Sequence, residues 1–227
     1  MPAYFTLTFE LKKSKTAIND FCIALTDSGL SFKIGCREFE KDTFEDIIAW
    51  NQGKLNRNFT PVSTTPYYRD YKLMLFTFSD FSDVSLYVIN NKKSPNFIAN
   101  LIIPEDDFLD YGDEHLNVQD IIDNAQPPKK QYHKMELVKN LAVEIWEKTA
   151  VLAIQTSWEL SEAPCILNDI ENGAAPICEP FCIIPRDLVS SSWGIDGEPI
   201  GKNGILLDNR DNWNNVFCDV DEWVKVN

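Results

Sequence analysis

Residues 4–11, YFTLTFEL, set Phe5, Leu7, Phe9 and Leu11 against Tyr4, Thr6, Thr8 and Glu10. A period of two predicts a strand with one buried face. The period then changes. Ile18, Phe21, Cys22 and Leu25 fall at helical spacing, which predicts an amphipathic helix over 15–27 with Gly29 as its stop. Alternation returns over 30–36, LSFKIGC, with Leu30, Phe32, Ile34 and Cys36 on one side. This order of periods predicts a β-α-β opening and rules out an all-helical or all-strand chain.

The pattern continues irregularly. A second helix is expected over 43–51, with Asp42 and Glu45 at capping-box spacing, followed by a polar loop over 53–66. Strands are expected over 72–78, 84–89 and 97–103, joined by short turn-forming segments into an antiparallel meander. Val138, Leu141, Ala142 and Ile145 mark a helix over 134–148, supported by Glu144 and Lys148 one turn apart. Shorter strands follow at 151–154, 181–184 and 205–207, the last two among Pro164, Pro176, Pro180, Pro185 and Pro199. The fold class expected is α+β: a mixed, mainly antiparallel sheet with a β-α-β opening and helices packed on one face. One compound domain over 1–227 is expected, with a candidate sub-boundary near 125–130 at Pro127-Pro128.

Charge is the feature that bears on function. The chain carries 35 acidic and 21 basic residues, a net charge of −14. Residues 98–128 hold eight acids and no base, and residues 161–227 hold twelve acids and four bases. Such a field repels nucleic acid and anionic membranes and attracts basic proteins. Apolar runs such as Phe97–Ile103 are far shorter than the roughly 20 residues a bilayer-spanning helix requires. The first residues lack the charge order of a secretory leader, and six cysteines in a chain with a full core need not be disulfides. A cytoplasmic protein is the expectation.

Catalytic signatures are missing from the sequence. There is no G-x-S-x-G, no G-x-x-x-x-G-K-[ST] and no G-x-G-x-x-G. The two histidines, His115 and His133, stand outside any signature and read as surface residues. Cys178 and Cys182 have a C-x3-C spacing that zinc sites use, with Cys165 and Cys218 as the remaining candidates. The pair brackets Glu179-Pro180-Phe181 and leads into Ile183-Ile184, which favours buried thiols. The run PEDDFLDYGDEH lacks the order of a calcium loop, so no cofactor or metal is implied.

The opening YFTLTFEL to LSFKIGC, the acidity, the small α+β size and the tryptophan-rich end containing SSWGIDG make the chain similar to bacterial immunity proteins of polymorphic toxin systems. That resemblance implies an inhibitor that covers a cognate toxin. The candidate partner-binding residues are Glu105, Asp106, Asp107, Asp110, Asp113 and Glu114 in the first acidic run. In the second they are Asp208, Asp211, Trp213, Asp219, Asp221 and Glu222. Trp213 joins them because tryptophan is enriched at interface hot spots. Competing readings are a phage-encoded antagonist that mimics nucleic acid, an enzyme built on carboxylates, and a structural assembly subunit.

Overall fold

The computed structural model describes residues 4–36, 39–60, 70–110, 129–158, 166–201 and 203–209. The first three elements are β1 (Tyr4–Lys12), α1 (Ala17–Asp27) and β2 (Ser31–Gly35). Then come α2 (Phe44–Asn56), β3 (Met74–Thr77), β4 (Val84–Asn90) and β5 (Asn96–Pro104). A 3-10 turn over Glu105–Phe108 leads to β6 (Leu109–Asp110), which pairs with β7 (Lys129–Lys130). The rest comprises α3 (Tyr132–Lys148), β8 (Val151–Trp158), α4 (Leu167–Glu171), β9 (Phe181–Pro185), β10 (Gly197–Ile200) and β11 (Gly204–Asp208).

Nine strands form one sheet in the order β10-β11-β9-β8-β1-β5-β4-β3-β2. Among the described residues every strand pairing in it is antiparallel, and the one parallel contact is an isolated bridge between Thr156 and Cys178. The sheet is therefore antiparallel rather than mixed. β1 is central and β2 is an edge, so three strands separate the first two strands of the sequence. The connectivity explains this: β2 reaches β3 through α2 and a long connection, short turns then return β4 beside β3 and β5 beside β4, and β5 reaches β1.

One face of the sheet holds the main core. Phe5, Leu7, Phe9 and Leu11 of β1 point into it with Phe97, Ala99, Leu101 and Ile103 of β5, all buried. α1 lays Ile18, Phe21, Cys22 and Leu25 on this face, and Phe9 meets Phe21 at a ring separation of 5.1 Å. Such a tilted pair contributes about 0.5–1.5 kcal/mol beyond its buried area. α2 and α3 complete the layer through Ile47, Leu55, Val138, Leu141 and Ile145. α4 does not join them. Its Ile170 packs on the opposite face with Ala153, Cys178, Cys182, Ile184 and Leu207, so helices occupy both faces rather than one.

Local chemistry corrects two boundaries. Thr43, not Asp42, caps α2: its side chain accepts from the Asp46 N–H, and Asp46 bonds back to the Thr43 N–H. The helix also runs on through Gly53 to Asn56, because Gln52 is buried and bridges the Ile18 N–H and the Ser14 carbonyl. The two edges are blunted. β2 carries an irregularity between Phe32 and Ile34, and β10 carries Pro199, which offers no N–H. Among the described residues no helix is long and apolar enough to cross a membrane.

Candidate docking surface

The smaller core supports a C-terminal lobe, and two buried polar side chains from the sheet fix it there. Glu10 is 3% exposed; its carboxylate accepts from the Asn96 side chain at 2.6 Å and from the Leu167 N–H at 2.6 Å. Gln155, equally buried, accepts from the Ile177 N–H at 2.8 Å. Leu188, Val189, Trp193 and Ile195 pack against the same small core, so Trp193 pins an irregular segment. Gly194 sits at φ +64° just after that segment's 3-10 turn, a backbone conformation favouring glycine.

Burying those apolar groups leaves the polar ones outside. Residues 166–201 contain six carboxylates and one base, Arg186. Asp169, Glu171, Asp187, Asp196 and Glu198 are all exposed. The ion pairs found among the described residues involve none of them. Residues alternating apolar and acidic over short irregular segments gave no helix or strand period, which is why the sequence alone did not single them out.

The acidic run at 105–110 is placed differently. Asp107 accepts from both the N–H and the hydroxyl of Ser82, tying the 3-10 turn to the β3–β4 turn. In that turn Asp83 meets Lys33 at 2.8 Å and Asp80 meets Lys134 at 3.5 Å. Partial burial opposes the charged form of Asp80, but its own N–H, the Lys134 ammonium and Ser79 together hold its carboxyl below the ordinary range. Lys129 and Lys130 lie opposite Asp110 and Leu109 in the β6–β7 pair. Bases that follow Pro127-Pro128 in sequence thus return beside acids that precede it.

Asp208 is also engaged inside the fold. It ends β11, and its Oδ2 lies 3.1 Å from the Lys139 ammonium on α3. Glu105 and Asp106 lie in the 3-10 turn, Glu105 partly covered and Asp106 exposed. Asp113, Glu114, Asp211, Trp213, Asp219, Asp221 and Glu222 lie outside the described residues, and for Asp110 only the backbone is described.

A basic corner stands apart from these acids. Lys13 Nζ reaches Asn58 Oδ1, the Asn91 carbonyl and the Ser94 carbonyl at 2.8, 2.8 and 2.7 Å. Asn58 in turn donates to the Lys92 carbonyl. These bonds gather the segments 12–16, 53–60 and 91–95, which together hold seven bases and no acid. Of the seven, Lys12, Lys15, Arg57, Lys92 and Lys93 are exposed.

Three of the described thiols belong to the cores, while Cys165 and Cys218 lie outside the described residues. Cys22, Cys178 and Cys182 are buried and free, and Cys178 Sγ lies 3.5 Å from the Leu207 carbonyl. Its neighbouring thiol and burial hold Cys182 well above the ordinary range, and burial pushes Cys22 up to about 12. Among the described residues no group of three His, Cys, Asp or Glu side chains is arranged to hold a metal. His133 is exposed.

No family model matches the chain. No curated protein matches it either. Among solved structures it is similar to one titled Pseudomonas aeruginosa T6SS protein PA0821, with a TM-score of 0.39 and 8% identity over 91% of this chain. The chain spans 65% of that protein's length.

Proposed function

We propose that the chain is an acidic binding protein that neutralises a cognate basic toxin by direct association, as immunity proteins do. The observation that carries this reading is the C-terminal lobe: five exposed carboxylates without ion-pair partners among the described residues, held on a packed apolar base. A rigid acidic surface steers a basic partner at long range and needs no loop ordering on contact. Net charge supports the same direction, at −14 overall.

Co-expression with the protein encoded beside its gene tests the proposal. The intact chain should restore growth, and the variant Asp187→Asn with Asp196→Asn and Glu198→Gln should protect less. Equal protection by a folded triple variant would remove the lobe from the account.

A further inference from the structure

The basic corner has a frame of its own. Lys13 matches its three ammonium donors with three acceptors, Asn58 Oδ1 and the Asn91 and Ser94 carbonyls, at 2.8, 2.8 and 2.7 Å. Asn58 is held by several further bonds. Its Oδ1 also accepts from Asn90 Nδ2 at 3.2 Å, its Nδ2 donates to the Lys92 carbonyl at 3.0 Å, and its N–H donates to the Leu55 carbonyl. Its φ of +53° is one that few residues other than glycine adopt, and such a conformation persists where its surroundings impose it. The Lys92 N–H closes the network on Thr60 Oγ1 at 2.9 Å, and the Lys13 N–H donates to the Pro95 carbonyl. These bonds fasten the end of β1, the end of α2 and the β4–β5 turn to one another.

The frame gathers seven of the chain's 21 bases, and its three segments hold no acid. Lys13 spends its donors on the frame. The exposed Lys12, Lys15, Arg57, Lys92 and Lys93 take part in no ion pair found among the described residues. Lys54 extends the charge along α2: its Nζ lies 4.2 Å from the Phe59 ring centroid and 5.1 Å from that of Trp50. Lys72 Nζ lies 4.7 Å from the same Trp50 ring. The two acids that flank the first segment are engaged. Glu10 is buried and bonded to Asn96 and Leu167, and Asp20 accepts from the Thr16 hydroxyl at 2.7 Å. Apart from Pro95, every exposed residue of the three segments is polar or charged.

We propose that this corner binds the phosphodiester backbone of a nucleic acid strand. Exposed cations on a fixed frame are what phosphates require, and counterion release drives their contact. A protein partner would need an apolar centre to pack against, which the exposed residues of the corner do not offer. A flat anionic membrane would press its charge against the rest of a chain of net −14, whereas a single strand touches the corner alone. The Trp50 ring already carries two ammonium groups, so the site reads phosphates rather than bases. The field of the whole chain opposes nucleic acid, but physiological salt screens it beyond about 8 Å. β11, which borders the acidic lobe, lies three strands from β1, about 14 Å at ordinary strand spacing. The outcome is a weak site without sequence preference. The corner and the lobe share no residue, so either can act without the other.

Fluorescence anisotropy of a labelled oligothymidylate of about 20 nucleotides, titrated with the full chain, tests this. At about 50 mM salt the expected Kd is roughly 1–100 µM, with log K falling against log salt at a slope of about −2 to −3.5, as about three to five phosphate contacts on a single strand give. Arg57→Gln with Lys92→Gln and Lys93→Gln, exposed positions whose folding is checked by circular dichroism, should weaken binding at least about tenfold and flatten the slope by about 2. Asp187→Asn with Asp196→Asn and Glu198→Gln should leave the slope unchanged. The corner variant should still restore growth against the toxin, which separates this site from the proposed function. No binding by the wild-type chain overturns the proposal, and so does a folded corner variant that binds as tightly as wild type. Equal competition by polyglutamate would assign the corner to an acidic protein, and tighter binding to phosphatidylserine vesicles would assign it to a membrane; either result also overturns it.

Discussion

Glu10 and Leu167 are 157 residues apart in sequence, yet the Leu167 N–H donates to Glu10 Oε2 at 2.6 Å. The bond joins the first strand to the start of α4, and so attaches the acidic lobe to the centre of the sheet. Glu10 is 3% exposed, and both its oxygens hold donors. Glu10→Ala would strand the Asn96 amide and the Leu167 N–H, costing about 1–3 kcal/mol. Glu10→Gln keeps one acceptor and should cost less. Hydrogen exchange at residues 167–171 should accelerate more than at β1 in the alanine variant; uniform acceleration would mean the lobe is not a separate unit.

Lys139 contacts two carboxylates of unequal burial. Asp208 is 18% exposed and Glu136 is 45% exposed. The more exposed pair is screened by water and contributes below about 1 kcal/mol. Removing the covered partner leaves a buried ammonium less well compensated. Urea denaturation should therefore show Asp208→Ala losing about 1–3 kcal/mol and Glu136→Ala losing less. The reverse order would show that α3 is not anchored to β11 through this pair.

Two glycines should respond with opposite signs. A methyl on Gly35 would overlap the Phe39 carbonyl oxygen and lie 2.8 Å from Ile47 Cδ1, and backbone cannot move aside cheaply. Gly35→Ala should destabilise by about 1–3 kcal/mol. Gly53 lies inside α2, where the nearest atom to an added methyl is Arg57 Nη2 at 3.9 Å. Gly53→Ala should stabilise by about 0.5–1 kcal/mol through the helix backbone. Thermal denaturation of the two variants reads both.

Alkaline pH should weaken the fold through its buried thiol and phenol groups. Burial raises Cys22 from 9.0 to about 12, and burial raises Tyr71 despite a hydrogen bond from Asn90. Both groups keep their protons in the folded chain after the unfolded chain has lost them. Stability contributed by Cys22 is thus fully present below pH 9.0 and declines between there and about 12, with a slope of up to about 1.4 kcal/mol per pH unit. Cys22→Ser should flatten part of the decline measured by urea titration at pH 8, 9 and 10. Native-state alkylation at pH 8, read by peptide mass, should leave Cys22 unmodified.

Much of the fold was legible because the core face alternates cleanly. Phe5, Leu7 and Phe9 announced β1, and Val138 to Ile145 announced α3 within two residues of its observed start. The end of α2 was not legible, since the buried face of its second half sets Asn51 and Gln52 beside Leu55, which interrupts the apolar run. Neither β10 nor α4 had enough length to show a period. The charge reading suffered from the opposite problem. Counting acids along 98–128 hid the lysines at 129 and 130, which the fold returns beside Asp110 and Leu109, while Lys134 meets Asp80 outside that run. The exposed acids of 166–201 were counted within the second run, but only packing shows that Asp208 faces inward while Asp196 and Glu198 face out.

The most direct measurement of the central claim is the salt dependence of association between the chain and the basic toxin proposed as its partner. The account predicts that the slope of log K against log salt becomes shallower when Asp187, Asp196 and Glu198 are neutralised together, with the association rate falling more than the dissociation rate rises. An unchanged slope and rate in a folded triple variant would contradict it.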